Sequence, residues 1–434
     1  MKIPTIFRRT PQAKKETIIS ASNHSVNVPE SNPTKPKKYL WWCSVLHIIN
    51  DGYISSLSIL LPFIAVDLNL TYAQSGFLKT ASHGAISATQ IPAGIFAERI
   101  GDILILGIGT TWFSLSYIGL ILAFSYPLAL ILIFSSGVGG GVYHPVGTAL
   151  VSNVYPPEKA GPAISTLNFF GDVGKVLFPA LAGILVIRIG WGASCAVLGT
   201  IGLAASILYI FFFRSDIGTK RKPTTPKVEE QKDRRAKWRT FQGWGIAQPT
   251  QFTLYSILGL LDNGIRAAVT TFLAFLIKIR VEAGAVGGLM SLTFFGGALG
   301  KLLCGLPIQK LGIKKIILMT ELLMILGCFA LPSVPSGWII VLFLPLFGFM
   351  LNGTSSVIYV GTAPTLNAEF RSRGYALHYT LSFIASATAP YLAGFVGDTY
   401  SLKAIFYANG AVMLFALPLV MFLKDSVHSG EASH

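Results

Sequence analysis

The chain has 434 residues, of which 52% are hydrophobic and only 12% charged, with a mean hydropathy of +0.61. Soluble globular proteins carry about 25% charged residues, so a water-soluble enzyme with a polar shell is excluded, and so is a disordered protein without apolar mass. The net charge of +15 is concentrated: residues 1–38 hold eight Lys/Arg against two Asp/Glu, and residues 214–248 hold ten against four. Twelve of the fifteen net charges therefore sit on two polar segments, which fits basic segments beside a membrane better than a nucleic-acid binder.

Residues 1–38 are rich in Pro, Ser, Asn and Lys and contain no apolar core of a secretory signal, so they read as a disordered basic tail. Apolar runs long enough to cross a bilayer as helices then follow at 39–66, 73–97, 103–124, 127–151, 160–187 and 190–213. The polar segment 214–248 reads as a linker. Six further runs lie at 250–277, 284–307, 314–332, 338–361, 372–396 and 401–423, and a short polar tail closes the chain at 426–434. Alternation with a period of two is missing, which excludes a porin-type barrel. The fold class expected is an all-α membrane protein: twelve transmembrane helices in two six-helix bundles, 39–213 and 249–425. Cys43, Cys195, Cys304 and Cys328 each lie within an apolar run and outside any metal-binding spacing, so they read as core residues, with no metal and no cofactor expected.

Orientation follows from Lys and Arg. With the N-terminus inside, the inner segments hold 26 of them and the outer loops four. Both termini are therefore expected in the cytoplasm.

The two halves match at a shift of about 211 residues. Asp51-Gly52 in the first span corresponds to Asp262-Asn263 in the seventh. Gly94-Ile-Phe-Ala-Glu98-Arg99-Ile-Gly101-Asp102 after the second corresponds to Gly305-Leu-Pro-Ile-Gln309-Lys-Leu-Gly312 after the eighth. A parallel repeat of two six-helix units, with the binding site between them, is a secondary-transporter architecture. The Gly-x-x-x-acid-Arg-x-Gly loop resembles the hallmark loop of the major facilitator superfamily, with Glu98 where that family usually has Asp, and with Asp102 and Ile103 replacing its usual basic residues. Three segments, His47-Ile-Ile-Asn50-Asp51, Gly137 to Pro145 and Gly161 to Gly174, resemble more narrowly the fosmidomycin-resistance group of drug exporters. The resemblance implies proton-coupled transport of a small molecule by alternating access. It also implies that Gly94, Glu98, Arg99, Gly101 and Asp102 form a gate holding one bundle against the other.

An ionisable residue deep in a bilayer costs at least about 2.5–3.5 kcal/mol, so each one is a functional candidate. Asp51, Asp172 and Asp262 lie about twelve residues, or roughly 18 Å, into their spans and share one layer near the midplane, with His83 close by. His47–Asp51 and Asp262–Arg266 are spaced i,i+4 and Asp172–Lys175 i,i+3, so each pair can touch on its own helix. Such a pair either couples to transport or only neutralises itself for insertion. A His–Asp pair can change charge near neutral pH, which makes Asp51 with His47 the first candidate for the coupling proton and Asp262 the second. Arg266, Asp172, Lys175, His83, His144 and Tyr143 are candidates for the substrate site, with Pro145 expected to bend its span and present Tyr143 or His144. Lys79, Lys301, Glu321 and His378 are expected nearer the membrane faces, where long side chains reach headgroups.

These readings define a transporter, not an enzyme: no Ser-His-Asp arrangement, HExxH motif or soluble catalytic domain is found. Proton-coupled export of a drug-like or anionic compound is expected, with an uptake permease of the same fold as the alternative. The partners expected are a small-molecule substrate, a proton and the lipid bilayer of the cell membrane, with no nucleic acid, and the chain acts as a monomer.

Overall fold

A computed structural model describes residues 34–217, 241–367 and 371–424. Most of the basic tail, most of the linker and the C-terminal tail 426–434 lie outside the described residues.

With no water available to backbone groups inside lipid, an apolar chain satisfies them locally as helix. Among the described residues the result is all-helical apart from a single isolated bridge. The first half comprises α1 (Thr34–Asp67), α2 (Tyr72–Ile100), α3 (Asp102–Leu122), α4 (Tyr126–Val154), α5 (157–189) and α6 (191–212). The second comprises α7 (Pro249–Lys278), α8 (Ala285–Leu303), α9 (Ile313–Ala330), α10 (Trp338–Thr362), α11 (Arg371–Thr399) and α12 (Leu402–Met421). Twelve spanning helices in two six-helix bundles are thus present among the described residues. Ten helices are both long and apolar enough to cross a membrane. The Lys159–Phe212 helix among them is really α5 and α6, and the more polar α2 makes the twelfth. The turn between α5 and α6 contains no loop. Gly190 makes it alone at φ 75°, a left-handed conformation that a residue with a Cβ adopts only under strain.

The bend expected at Pro145 falls just before it. Helical structure stops at Gly140 and restarts at Tyr143. The proline ring would clash with the carbonyl of residue 141 in a continuous helix, and it is tolerated in the first turn of a new one.

The halves meet at one end of the molecule. There, α2 packs on α11 and α5 on α8. Gly183 and Gly287 touch back to back, leaving about 2.5 Å between a Cβ added to Gly183 and the Gly287 Cα. Gly76 of α2 lies against Pro390 with no room for a Cβ. The Asp398 carboxylate of α11 accepts hydrogen bonds from the Tyr72 and Ala73 N–H groups at the start of α2, at 2.7 and 2.8 Å. Lys278 of α7 donates to the Pro62 carbonyl of α1 at 2.8 Å. Five helical turns further along α2, on the face that carries Gly76, nothing lies within 4 Å of Gly94. Gly161, at the corresponding end of α5, is equally bare, and Phe169 is exposed. The molecule is closed at the end bearing the 67–72 and 399–402 turns and open at the end where α1 begins.

The residues expected to form a gate lie at that open end. Glu98 and Arg99 are exposed, and Gly101 turns the chain from α2 into α3. Asp102 is buried in the first turn of α3, within reach of Cys43 and Tyr209 of its own half.

Candidate functional site

Asp51, in the middle of α1, is buried and is the hub of a polar cluster in the first half. Lys175 Nζ of α5 lies 2.9 Å from Oδ2, His47 Nε2 3.5 Å from the same oxygen, and His144 Nε2 of α4 3.4 Å from Oδ1. Asn50 Nδ2 donates to Oδ1 at 3.2 Å. His47 Nδ1 is 2.8 Å from the Leu167 carbonyl oxygen. A carbonyl can only accept, so Nδ1 carries a proton and Nε2 is the nitrogen turned towards Asp51. Lys175 gives Asp51 a fixed cation that spacing along α1 does not reveal, because α5 runs beside α1 and the lysine reaches across as well as along its own helix. His47, Asp51 and His144 bring three metal-type ligand atoms within 4.8 Å of one another. The Lys175 ammonium stands on the same carboxylate and repels a metal ion, so the cluster fits an internal ion network better than a metal centre.

Tyr143 is not presented to the cavity. Its hydroxyl donates to the Cys43 carbonyl at 2.5 Å, and its ring stacks on His47 with centroids 4.6 Å apart. It positions His47, while the neighbouring His144 faces Asp51.

The Asp172–Lys175 pair forms at 2.9 Å. Asp172 also accepts from Lys301 of α8 at 2.9 Å, so the ion pair read along one helix extends across both halves. Arg266 bonds Asp262 one turn back along α7 and donates to Asn263 Oδ1 at 3.2 Å. Asp262 is fully buried and does not face the cavity.

Between the halves lies a cavity of about 240 Å³. Asp51, Ser55, Ser58, Lys79, His83 and Lys175 line it from the first half, and Asn263, Arg266, Thr270, Lys301, Asn352 and Ser386 from the second, with Phe294 and Phe383 as apolar walls. Four basic side chains therefore line it with a single carboxylate, and Asp172 and Asp262, behind the wall, pair with three of the four. A larger hollow of about 440 Å³ lies beyond the barrier, at the closed end, bounded by Pro62, Val66, Tyr72, Phe275, Lys278 and Asp398. Its one cation and one carboxylate balance, so it lacks the group of basic side chains that lines the inner cavity.

Lys79 and Lys301, expected nearer the faces, are cavity residues: Lys79 is buried and donates to the Ile54 carbonyl at 2.7 Å. Glu321 and His378 are also buried rather than extended towards headgroups. Asn263 and Asn352 were missed. The signal available was an amide within an apolar run, Leu351-Asn352-Gly353 in the second case, since a polar side chain at membrane depth faces a partner or a cavity.

Comparison with known proteins places this geometry. The chain matches the family model described as Major Facilitator Superfamily over residues 40–362 and again over 255–433. It is 25% identical to a probable sulfoacetate transporter of Cupriavidus necator over 175 residues, which is 40% of this chain and 41% of that one. It is 24% identical over 397 residues to the hexuronate transporter of Bacillus subtilis, covering 88% of this chain and 93% of that one. In fold it is similar to a bacterial homologue of the human lysosomal transporter Spinster, solved in an inward-facing and unoccupied conformation. That likeness has a TM-score of 0.70 at 16% identity, over 90% of this chain and 95% of that chain. Two six-helix bundles around a central polar cavity, and a family match across nearly the whole chain, make this protein an integral membrane transporter of the major facilitator superfamily.

Proposed function

We propose that the protein is a proton-coupled permease taking up a small organic anion, of the size and chemistry of a sugar acid. One observation carries this reading: of seven charged groups at the cavity, the four bases Lys79, Lys175, Arg266 and Lys301 line it, while two of the three carboxylates, Asp172 and Asp262, stand behind them. Cations in a low-dielectric cleft focus an attractive field on an anion and repel a cation. Arg266 offers a planar fork that fits a carboxylate, and the lysines act as point charges. Asn263, Asn352, Ser55 and Ser58 supply uncharged hydrogen-bonding groups suited to hydroxyls. The relatives named above are a sulfoacetate and a hexuronate transporter, and both of those compounds are anions.

This favours the uptake alternative over drug export. The likeness to the fosmidomycin-resistance group rests on α1, α4 and α5, and the segments that carry it build the Asp51 network rather than the whole cavity wall. With both termini in the cytoplasm, the open end faces inward and the structure is the state that delivers or accepts substrate on the cytoplasmic side.

The test is transport by purified protein in proteoliposomes, with labelled D-glucuronate and a proton gradient. Unlabelled D-galactonate and sulfoacetate are expected to compete, and glucose and ethidium are not. Transport of ethidium, with the acids without effect, would overturn the anion reading and restore drug export.

A further inference from the structure

Behind the cavity wall of the second half stands an acidic side chain that the anion site does not use. Glu321 lies eight residues into α9, about 12 Å from its start. It is 0% exposed, and neither carboxylate oxygen has a hydrogen-bond partner. The charged groups that reach it are Asp262 and Arg266, both on α7. From α10 it faces Thr354, whose hydroxyl donates to Thr320 at 2.7 Å. α12, which also packs on α9, carries only Lys403 and Tyr407 as ionisable groups, both in its first two turns. Cys328, on α9 itself, is the remaining titratable neighbour.

Asp262 is also 0% exposed. One of its oxygens is held by Arg266, and Oδ1 has no partner. The group therefore contains two buried carboxyls and one guanidinium. A buried carboxylate without a partner is strongly destabilising, and such a group takes a proton instead. With one guanidinium for two buried carboxyls, and that guanidinium bonded to Asp262, Glu321 is the group left to take a proton. Arg266 has a second surface: it also lines the cavity.

We propose that Asp262 and Glu321 together form a proton-binding site and that Arg266 links this site to the cavity, an inference that rests on the reading of the cavity as an anion site. In the empty transporter Arg266 neutralises Asp262 and the pair holds one proton, on Glu321. An anion arriving in the cavity draws the guanidinium towards itself. Asp262 then loses its counter-charge while Glu321 is already neutral, so a second proton from solution bonds to an Asp262 oxygen. One anion and one proton are bound together, with no net change in buried charge. When the anion leaves, Arg266 returns to Asp262, the O–H bond breaks and the same proton is released. The two carboxyls titrate as a unit, and the coupling lies in the differential affinity of Arg266 for its two partners.

The experiment uses the full-length protein in lipid bilayers. Infrared spectra of the empty protein at neutral pH are expected to contain a neutral carboxylic-acid band that Glu321→Gln removes. Adding D-glucuronate to weakly buffered protein should take up protons in the wild type and not in Asp262→Asn. An unchanged acid band in Glu321→Gln overturns the proposal, as does undiminished proton uptake by Asp262→Asn. Should Glu321→Gln fail to fold, Glu321→Asp keeps an acid in a shorter chain. A displaced band in that variant supports the assignment, and a band identical to the wild type overturns it. If no anion binds the wild type, the anion reading falls by itself, while the infrared comparison still decides whether Glu321 holds the resting proton.

Discussion

Lys301 of α8 and Asp172 of α5 form an ion pair at 2.9 Å, and Lys175 approaches the same Asp172 oxygen at 2.9 Å. One carboxylate thus restrains two of the four cations that face the cavity and joins the two halves of the molecule. An entering anion competes with Asp172 for both lysines. Asp172→Asn keeps the shape and removes the competitor. Tighter apparent binding of D-glucuronate and slower turnover are expected, seen as a fall in both KM and kcat. A rise in KM would show that Asp172 organises the lysines instead of competing for them.

Arg266 is the only cation bonded to Asp262 among the described residues. Removing one partner of a buried ion pair leaves Asp262 either uncompensated or forced to take a proton, a cost that grows as pH rises and reaches about 3–5 kcal/mol. Arg266→Ala should therefore lower the thermal unfolding temperature of the detergent-solubilised protein markedly. Asp262→Asn added to that variant should recover most of the loss. If the double variant is no more stable than Arg266→Ala, the pair is not what holds that part of α7.

Asp398 caps the N-terminus of α2 from the other half of the molecule. A carboxylate at a helix N-terminus contributes about 1 kcal/mol, so Asp398→Ala shifts the balance against the closed end by roughly fivefold. Spin labels at Asn69 and Tyr400, on the two turns of that end, should report a longer separation in a larger fraction of molecules. An unaltered distance distribution would mean that the glycine contacts alone keep the end shut.

The four native cysteines are all buried, so an introduced exposed cysteine reports almost alone. With both termini inside, a membrane-impermeant maleimide added to intact cells should label a cysteine replacing Asn69 and spare one replacing Lys310. The reverse pattern would invert the orientation and, with it, the assignment of the open end to the cytoplasm.

The spans were legible because a lipid-facing helix must be apolar almost throughout, and a run of such residues needs no knowledge of its neighbours. The α5–α6 turn was legible only as a gap: a single Gly at positive φ leaves no polar loop to see. Pairs along one helix, Asp172–Lys175 and Asp262–Arg266, were legible from spacing, since a helical turn fixes their distance. What spacing cannot show is a neighbour on another helix. Lys175 was read with Asp172 alone, and its second carboxylate, Asp51, lies on α1. Depth counted along the chain also misplaced Lys79, Lys301 and Glu321. A count from the end of a span says how far a residue lies from the bilayer face and nothing about which way it points. Lys79 and Lys301 point to the cavity, and Glu321 points into the second bundle.

The contact of α5 with α8 sets a geometric scale for the transport cycle. The backbone carbonyl of Val176 accepts from Ser291 at 2.7 Å, and one turn further towards the open end the Asp172–Lys301 side chains make the next link between the two helices. From Val176 to the open end of α5 at residue 157 is a lever of nineteen residues, or about 28 Å. A tilt of about 15° around that point displaces the far end by roughly 7 Å. The aperture can therefore be changed by a small rotation of whole bundles about a fulcrum at the level of the cavity, without unwinding any helix.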